Sequence, residues 1–114
     1  MSKNVAIIGG GAAGFFTAIN IAEQNPNLEV SIYEGSNKLL TKVLVSGGGR
    51  CNVTNTISDP KELCKQYPRG HDFLLPVFEQ FTSNDTESWL TERGVPLKCE
   101  DDGRKFPQTN SSHT

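Results

Sequence analysis

The first third of the chain carries the hydrophobic pattern of a strand, a helix and a second strand. The continuous apolar run Val5 to Ile8 predicts a strand buried on both faces of a parallel sheet. Apolar residues at steps of three and four predict one buried face of a helix over Ala12 to Gln24; they are Phe15, Ala18, Ile19 and Ala22. Alternation predicts a second strand over Leu28 to Tyr33. This order predicts a βαβ unit.

The rest of the chain shows shorter predicted elements. "KVLVS", Lys42 to Ser46, is strand-like, and the proline-containing stretch from Asp59 to Asp72 is predicted to be irregular. A helix is predicted over Phe73 to Phe81, beginning near Pro76. A second helix is predicted over Asn84 to Arg93; its predicted capping residues are Asn84 and Glu87 at the start and Gly94 at the end. A β-hairpin with Asp102-Gly103 in its turn follows.

Parallel strands joined by a helix predict an α/β fold of the Rossmann-like type. A complete doubly wound sheet has about five or six strands, whereas the pattern here shows two parallel ones. We therefore expect residues 1–114 to be the N-terminal portion of a nucleotide-binding domain that continues beyond residue 114. An independently stable domain of 114 residues is the alternative, but its parallel sheet would be poorly covered.

Composition narrows the range of partners. The 114 residues include 11 basic and 13 acidic side chains, for a net charge of −2. We therefore expect a small-molecule substrate, and neither nucleic acid nor a membrane as partner. The three cysteines, Cys51, Cys64 and Cys99, are widely spaced, which is typical of reduced thiols in a cytoplasmic protein. No cysteine or histidine spacing predicts a metal site.

The stretch "GGGAAG" places Gly9, Gly11 and Gly14 at GxGxxG spacing after the first predicted strand. Gly9 permits a tight turn, Gly11 lets the backbone approach a pyrophosphate, and Gly14 lets the helix pack closely on the sheet. Ala12 and Ala13 keep the first helical turn small, and its free N–H groups and dipole favour phosphate. The loop therefore predicts a dinucleotide-binding site.

Glu34 follows the second predicted strand, twenty residues after Gly14. A carboxylate at this spacing accepts hydrogen bonds from ribose hydroxyls and repels the 2′-phosphate of NADP. The motif therefore predicts NAD(H) or FAD at this site, without deciding between them.

A second glycine loop lies in "VSGGGRCNVTN", Val45 to Asn55. Three consecutive glycines are unfavourable in a strand or a helix, and because they carry no side chains they let a ligand approach the backbone very closely. Arg50 follows them with a guanidinium suited to phosphate or carbonyl oxygens. A second bare-backbone loop favours a long ligand such as FAD.

At these residues the chain resembles the BaiN/RdsA-type bacterial flavoproteins, a family of NAD(P)/FAD-dependent oxidoreductases that includes aminoacetone-oxidase-like enzymes. The resemblance rests on "VAIIGGGAAG", on "KVLVSGGGRCNVTN" and on "DDGRKFPQTNSS", which carries a second signature, GR-x-FP. It implies an FAD-binding Rossmann-like domain, with an inserted β-rich domain beyond residue 114.

The resemblance also implies which residues contact the cofactor. The pyrophosphate would be held by Gly9, Gly11, Ala12, Ala13 and Gly14, and the ribose by Glu34. The residues that line the path to the flavin ring would be Lys42, Ser46, Gly47, Gly48, Gly49 and Arg50, with Cys51, Asn52 and Asn55 near the ring. For Cys51 we expect a small packing residue rather than a redox partner, because no second cysteine lies nearby in the sequence.

The predicted function is that of an FAD-dependent oxidoreductase, with NAD(P)H as a candidate reductant and hydride or electron transfer at the flavin. The sequence identifies neither the catalytic residues nor the substrate. Two alternatives stay open: a flavin-dependent RNA-modifying enzyme, and a non-catalytic dinucleotide-binding protein or fragment.

Overall fold

The computed structural model describes residues 3–114, which divide into one unit ending at Val45 and a second unit over Ser46–Thr114. The first unit contains β1 (Asn4–Ile8), α1 (Ala12–Gln24), β2 (Glu29–Tyr33) and α2 (Thr41–Val45). The second contains a 3₁₀ turn (Ser46–Gly49), β3 (Thr54–Asn55), α3 (Pro60–Cys64), α4 (His71–Phe78), α5 (Ser83–Thr91), β4 (Leu97–Cys99) and β5 (Arg104–Pro107).

The predicted βαβ unit is confirmed in the first unit. β1 and β2 are parallel and pair in register from Asn4–Glu29 to Ile8–Tyr33. The helix α1 joins them with the predicted bounds and contacts both strands. The fold class is therefore α/β of the Rossmann type, as the pattern of the sequence predicts.

Burial of β1 on both faces was expected and is not found. Val5 and Ile7 are partly buried, whereas Ile8 is 82% exposed. A β-carbon on Gly14 would lie 3.5 Å from Cγ2 of Ile7, so this side of β1 faces α1. Within the described chain α1 packs on one face only, and a strand covered on one face alternates in exposure. On α1 itself, Ala22 is exposed although the periodicity placed it on the buried face.

The prediction of a strand-like run over Lys42 to Ser46 is wrong. The chain there forms α2 and the 3₁₀ turn, and the Leu44 amide donates to the Leu40 carbonyl over 3.0 Å. A short apolar run does not distinguish a strand from a helix by periodicity. Because the Leu40 amide donates to the Gly10 carbonyl over 2.8 Å, the start of α2 is tied to the first glycine loop.

An antiparallel sheet in the order β3-β5-β4 organises the second unit. The predicted hairpin is confirmed: β4 and β5 pair from Leu97–Pro107 to Cys99–Lys105. Gly103, at φ +83°, takes the left-handed conformation in the turn and donates its amide to the Glu100 carbonyl over 2.9 Å.

The helices of this unit begin earlier than predicted. α3 lies inside the stretch predicted to be irregular, because Asp59 caps it by accepting a hydrogen bond from the Glu62 amide over 2.9 Å. α4 begins after the left-handed Gly70, whose carbonyl accepts from the Leu74 amide, so that Pro76 lies within the helix.

The capping box of α5 is formed by Thr82 and Asp85, and not by Asn84 and Glu87. The Asp85 carboxylate accepts the Thr82 amide over 2.7 Å, two residues earlier than expected. Gly94 follows the helix at φ +84°, as predicted for a C-terminal cap.

Among the described helices, none combines the length and the apolar composition that crossing a membrane requires.

Phe106 is the centre of the core in the second unit. Its side chain is 0% exposed, and Leu63, Cys64 and Leu97 are the other buried apolar residues. The Arg50 guanidinium lies 4.0 Å from the centre of the Phe106 ring, and that of Arg104 lies 5.4 Å from it. Cation–π contacts thus add to the apolar burial of the ring.

We expect Phe106→Ala to lower the free energy of unfolding by about 3–5 kcal/mol, because it leaves a cavity in the core. Phe73→Ala is the matched control, since Phe73 is 78% exposed and a surface change costs about 0.5 kcal/mol or less. Chemical denaturation measures both. Equal losses in the two variants would contradict the central place of Phe106.

Candidate functional site

The first glycine loop brings α1 closer to β1 than a side chain permits. A β-carbon on Gly14 would lie 2.0 Å from the Gly9 carbonyl oxygen, a separation that no packed atom tolerates. Gly9 itself is at φ +107° and donates its amide to the Tyr33 carbonyl over 2.7 Å. Gly9 and Gly14 are therefore required by the backbone of this unit.

Gly11 stands in a different environment. A β-carbon built on Gly11 would have no described atom within 4 Å, and its φ of −96° is open to any residue. The fold does not require glycine at this position. Gly11 is the N-cap of α1, and the first turn contains no acidic side chain within the described helix. The amides of Ala12 and Ala13 thus begin a helix whose positive dipole end adjoins open space, an arrangement that suits phosphate.

Glu34 connects the first glycine loop with the segment after β2 through hydrogen bonds. Its carboxylate accepts the Gly10 amide at Oε1 over 3.1 Å and the Ser36 amide at Oε2 over 2.6 Å. The hydrogen bonds from Ser36, and then that from Gly10, hold the pKa of Glu34 below its ordinary value. An ionised carboxylate has about four acceptor positions, so this exposed side chain can also accept a ligand hydroxyl.

Gly10 and Ser36, whose amides hold the Glu34 carboxylate, are positions of the candidate site that sequence reasoning missed. Gly10 is buried, and a β-carbon there would lie 2.5 Å from Cδ2 of Leu39 and 3.2 Å from Cβ of Glu34. The available signal was the middle glycine of "GGG", because the GxGxxG spacing leaves Gly10 unexplained.

The second glycine loop is a left-handed turn. Gly47, Gly48 and Gly49 have φ values of 57°, 69° and 86°, and Cys51 follows at 62°. A β-carbon on Gly47 would lie 2.8 Å from both Cε1 of Phe106 and the Asn52 amide nitrogen. At Gly48 and Gly49 a β-carbon would have no described atom within 4 Å. Gly47 therefore serves packing, while the next two glycines leave the backbone open to approach.

Arg50 joins the two signature motifs of the sequence. Its Nη1 donates to Oε1 of Glu100 over 2.5 Å, and its guanidinium stacks on Phe106 of the GR-x-FP motif. The Gly49 carbonyl also accepts the Ser112 amide over 2.8 Å, so the segment after β5 holds the loop. Glu100 compensates the charge of Arg50, and the remaining guanidinium donors are those that a ligand could use.

The other predicted site residues lie around these two loops. Lys42 is exposed on α2, in the first unit. In the second unit the Ser46 carbonyl accepts the Cys51 amide over 3.0 Å, and the thiol of Cys51 is free. Asn52 is exposed, whereas the Asn55 side chain accepts the Ile57 amide over 2.8 Å. The first unit thus assembles Gly9 to Gly14 with Glu34, and the second assembles Ser46 to Asn55.

Residues 3–114 match a protein-family model described as the HI0933-like protein Rossmann domain. Among curated proteins, the chain is similar to the ribosomal RNA dihydrouridine synthase of Haemophilus influenzae, at 33% identity over 92% of this chain and 25% of that protein. It is also similar to the 3-dehydro-bile acid delta(4,6)-reductase of Clostridium scindens, at 31% identity over 96% of this chain and 26% of that protein.

A further relative is the fumarate reductase flavoprotein subunit of Mycobacterium tuberculosis, at 31% identity over 89% of this chain and 18% of that subunit. The chain therefore spans about a quarter or less of the length of these relatives.

The hydrogen bonds to Glu34 predict a pH dependence of stability. Its pKa is lowered on folding, so its stabilisation is complete above the unfolded-state pKa of about 4.3 and is lost as the pH falls through the folded-state pKa. We expect the free energy of unfolding to fall more steeply with acidification in the wild type than in Glu34→Gln. Denaturation at a series of pH values measures this difference. Parallel pH profiles of stability in the two proteins would contradict a stabilising role for the hydrogen bonds to Glu34.

Proposed function

The chain belongs to the HI0933-like family of Rossmann domains, as the resemblance in its sequence predicts, and we propose that it is part of an FAD-dependent oxidoreductase. The observation that carries the proposal is the open space at Gly11, at the N-terminus of α1, in the unit that also holds Glu34. Bound FAD would supply hydride and electron transfer. The residues of the chain bind and orient it.

The first unit is suited to the adenosine diphosphate part of FAD. The space at Gly11 admits a pyrophosphate to the amides of the first turn of α1, where the helix dipole favours negative charge. The Glu34 carboxylate, held in place by the Gly10 and Ser36 amides, would accept the ribose hydroxyls. The same negative charge opposes a 2′-phosphate, which favours FAD or NAD(H) over NADP at this site.

We assign contacts with the flavin to the second glycine loop. The backbone at Gly48 and Gly49 is open to approach, as a planar ring would need. Following the family resemblance, Lys42, Ser46 and Arg50 would line the path to the ring, with Cys51, Asn52 and Asn55 near it. Two of the relatives are named as a reductase and as a reductase flavoprotein subunit, which supports a flavin rather than NAD as the resident cofactor.

A flavin-dependent RNA-modifying enzyme is the second candidate. One relative is named a ribosomal RNA dihydrouridine synthase, which favours it. The net charge of −2 weighs against it, because RNA binding depends on phosphate contacts from basic residues. RNA binding that weakens steeply with added salt would support this candidate, and the absence of binding at low salt would exclude it.

The oxidoreductase proposal is tested by reducing the bound cofactor. NADH and NADPH are added in separate anaerobic experiments, and loss of the visible flavin absorption is followed, together with its return on admission of air. We expect reduction by at least one nicotinamide. A bound flavin that neither nicotinamide reduces would contradict nicotinamide-dependent oxidoreductase activity and support a passive binding protein.

Two glycine variants separate cofactor binding from folding. Gly11→Val places a branched side chain in the open space, so we expect an intact fold and FAD binding weakened at least tenfold, or by at least ~1.4 kcal/mol. Gly14→Ala drives a methyl group into the Gly9 carbonyl, so we expect a loss of stability of about 1–3 kcal/mol.

Far-UV circular dichroism and thermal unfolding report the fold of the two glycine variants, and titration of the flavin-free protein with FAD reports binding. A stable Gly11→Val protein that binds FAD as the wild type does would overturn the pyrophosphate assignment.

A further inference from the structure

The second unit contains a cleft of about 440 Å³. Its lining comes from the segment from Asn52 to Asn55, which includes β3, from residues of α3, α4 and α5 and the segments beside them, and from Arg104 of β5. This volume lies within the roughly 300–1,000 Å³ range of small-molecule sites. The cleft is therefore large enough for a compound of two or three fused rings.

One wall of the cleft is apolar and aromatic. Leu63 forms buried surface at 4% exposure, and the Tyr67 and Phe78 rings pack with their centres 5.4 Å apart. Val77 also lines the cleft and is 46% exposed. Apolar side chains that stay accessible inside a concave surface favour an apolar ligand.

The segment that contains β3 forms the polar wall of the cleft and supplies hydrogen-bonding groups. Asn52 and Thr54 line the cleft, and neither side chain has a hydrogen-bond partner among the described residues. Two other hydroxyls of the lining are already engaged: that of Ser83 donates to the Ile57 carbonyl over 2.6 Å, and that of Thr86 donates to the Thr82 carbonyl over 3.2 Å. Asn52 and Thr54 can therefore donate to a ligand oxygen or accept from a ligand hydroxyl.

The cleft presents little net charge to a ligand. Arg104 is its one charged lining residue among those described. Its Nε donates to Oδ2 of Asp102 over 2.6 Å, and its Nη2 lies 3.5 Å from Oε2 of Glu100. Because two carboxylates compensate this guanidinium, the lining selects neither for an anion nor for a cation.

We propose that this cleft binds a neutral, largely apolar ring compound whose carbonyl or hydroxyl group hydrogen-bonds to Asn52 and Thr54. The aromatic wall supplies affinity through the buried ring surface, and the polar wall fixes the orientation of the oxygen. Binding of this ligand does not depend on the proposed function. Only its role as the compound that the oxidoreductase oxidises or reduces rests on that function.

The probe for the test is 6-propionyl-2-dimethylaminonaphthalene, a neutral naphthalene ketone whose fluorescence shifts to the blue in apolar surroundings. We expect saturable binding to the purified wild-type protein. Val77→Glu places a charge in the apolar wall and should weaken binding at least about tenfold. Phe73→Glu is the matched control, because Phe73 is exposed one turn away on α4 and does not line the cleft; it should bind as the wild type does.

Thr54→Val tests the polar wall with almost no change in side-chain volume. Loss of one neutral hydrogen bond should weaken binding of the ketone about three- to tenfold, while binding of naphthalene, which has no oxygen, stays unchanged. This variant also keeps the proposal testable if Val77→Glu does not fold.

The flavin content of each preparation separates this inference from the proposed function. Flavin-containing wild-type protein without saturable probe binding, or equal binding by Val77→Glu and Phe73→Glu, would overturn the cleft proposal and leave the oxidoreductase proposal standing. Probe binding that responds to Val77→Glu in a protein that binds no flavin would support the ligand cleft and overturn the oxidoreductase proposal.

Discussion

Both units depend on one constraint: at a glycine in each, the backbone approaches neighbouring atoms more closely than a β-carbon would allow. In the first unit α1 reaches the end of β1 because Gly14 carries no side chain against the Gly9 carbonyl, 2.0 Å from where a β-carbon would lie. In the second unit Gly47 meets Phe106 and the Asn52 amide in the same way, at 2.8 Å. Each contact fixes a loop, and beside each lie glycines whose β-carbon position is open: Gly11 in the first unit, and Gly48 and Gly49 at positive φ in the second. The fold thus creates open backbone that a ligand can use.

Charged side chains then hold these loops in place. In the first unit, the Glu34 carboxylate accepts hydrogen bonds from the Gly10 amide of the first glycine loop and from the Ser36 amide. In the second unit, Arg50 pairs with Glu100 and stacks on the Phe106 ring. Preorganisation of this kind lowers the entropy that is lost on binding, because the loops are ordered before a ligand arrives. The groups suited to a ribose or a phosphate are therefore also parts of the structure, and their substitution affects stability as well as binding.

The strongest periodic patterns predicted the fold well, and the local details could not be predicted. α1 has the expected bounds because its apolar positions recur over three turns, and the hairpin forms because Asp102-Gly103 suits its turn. "KVLVS" is helical and not a strand, since the periodicity of a five-residue segment rich in apolar residues does not distinguish the two. The hydrogen-bond partners of Glu34 and Arg50 could not be predicted from the sequence either, because pairs such as Arg50–Glu100 are distant in sequence and depend on tertiary packing. The roles of Gly11 and Gly14 differ only through their surroundings, although both follow from one motif.

The open backbone at the glycine loops serves, in our proposal, to bind a flavin dinucleotide. The most direct measurement is the visible absorption spectrum of the purified wild-type protein, followed by acid release of the cofactor and its identification by mass spectrometry. We expect the two flavin bands and FAD as the released compound. A folded, colourless protein that takes up no FAD but binds NAD would contradict it, since the second loop would then have no flavin to hold.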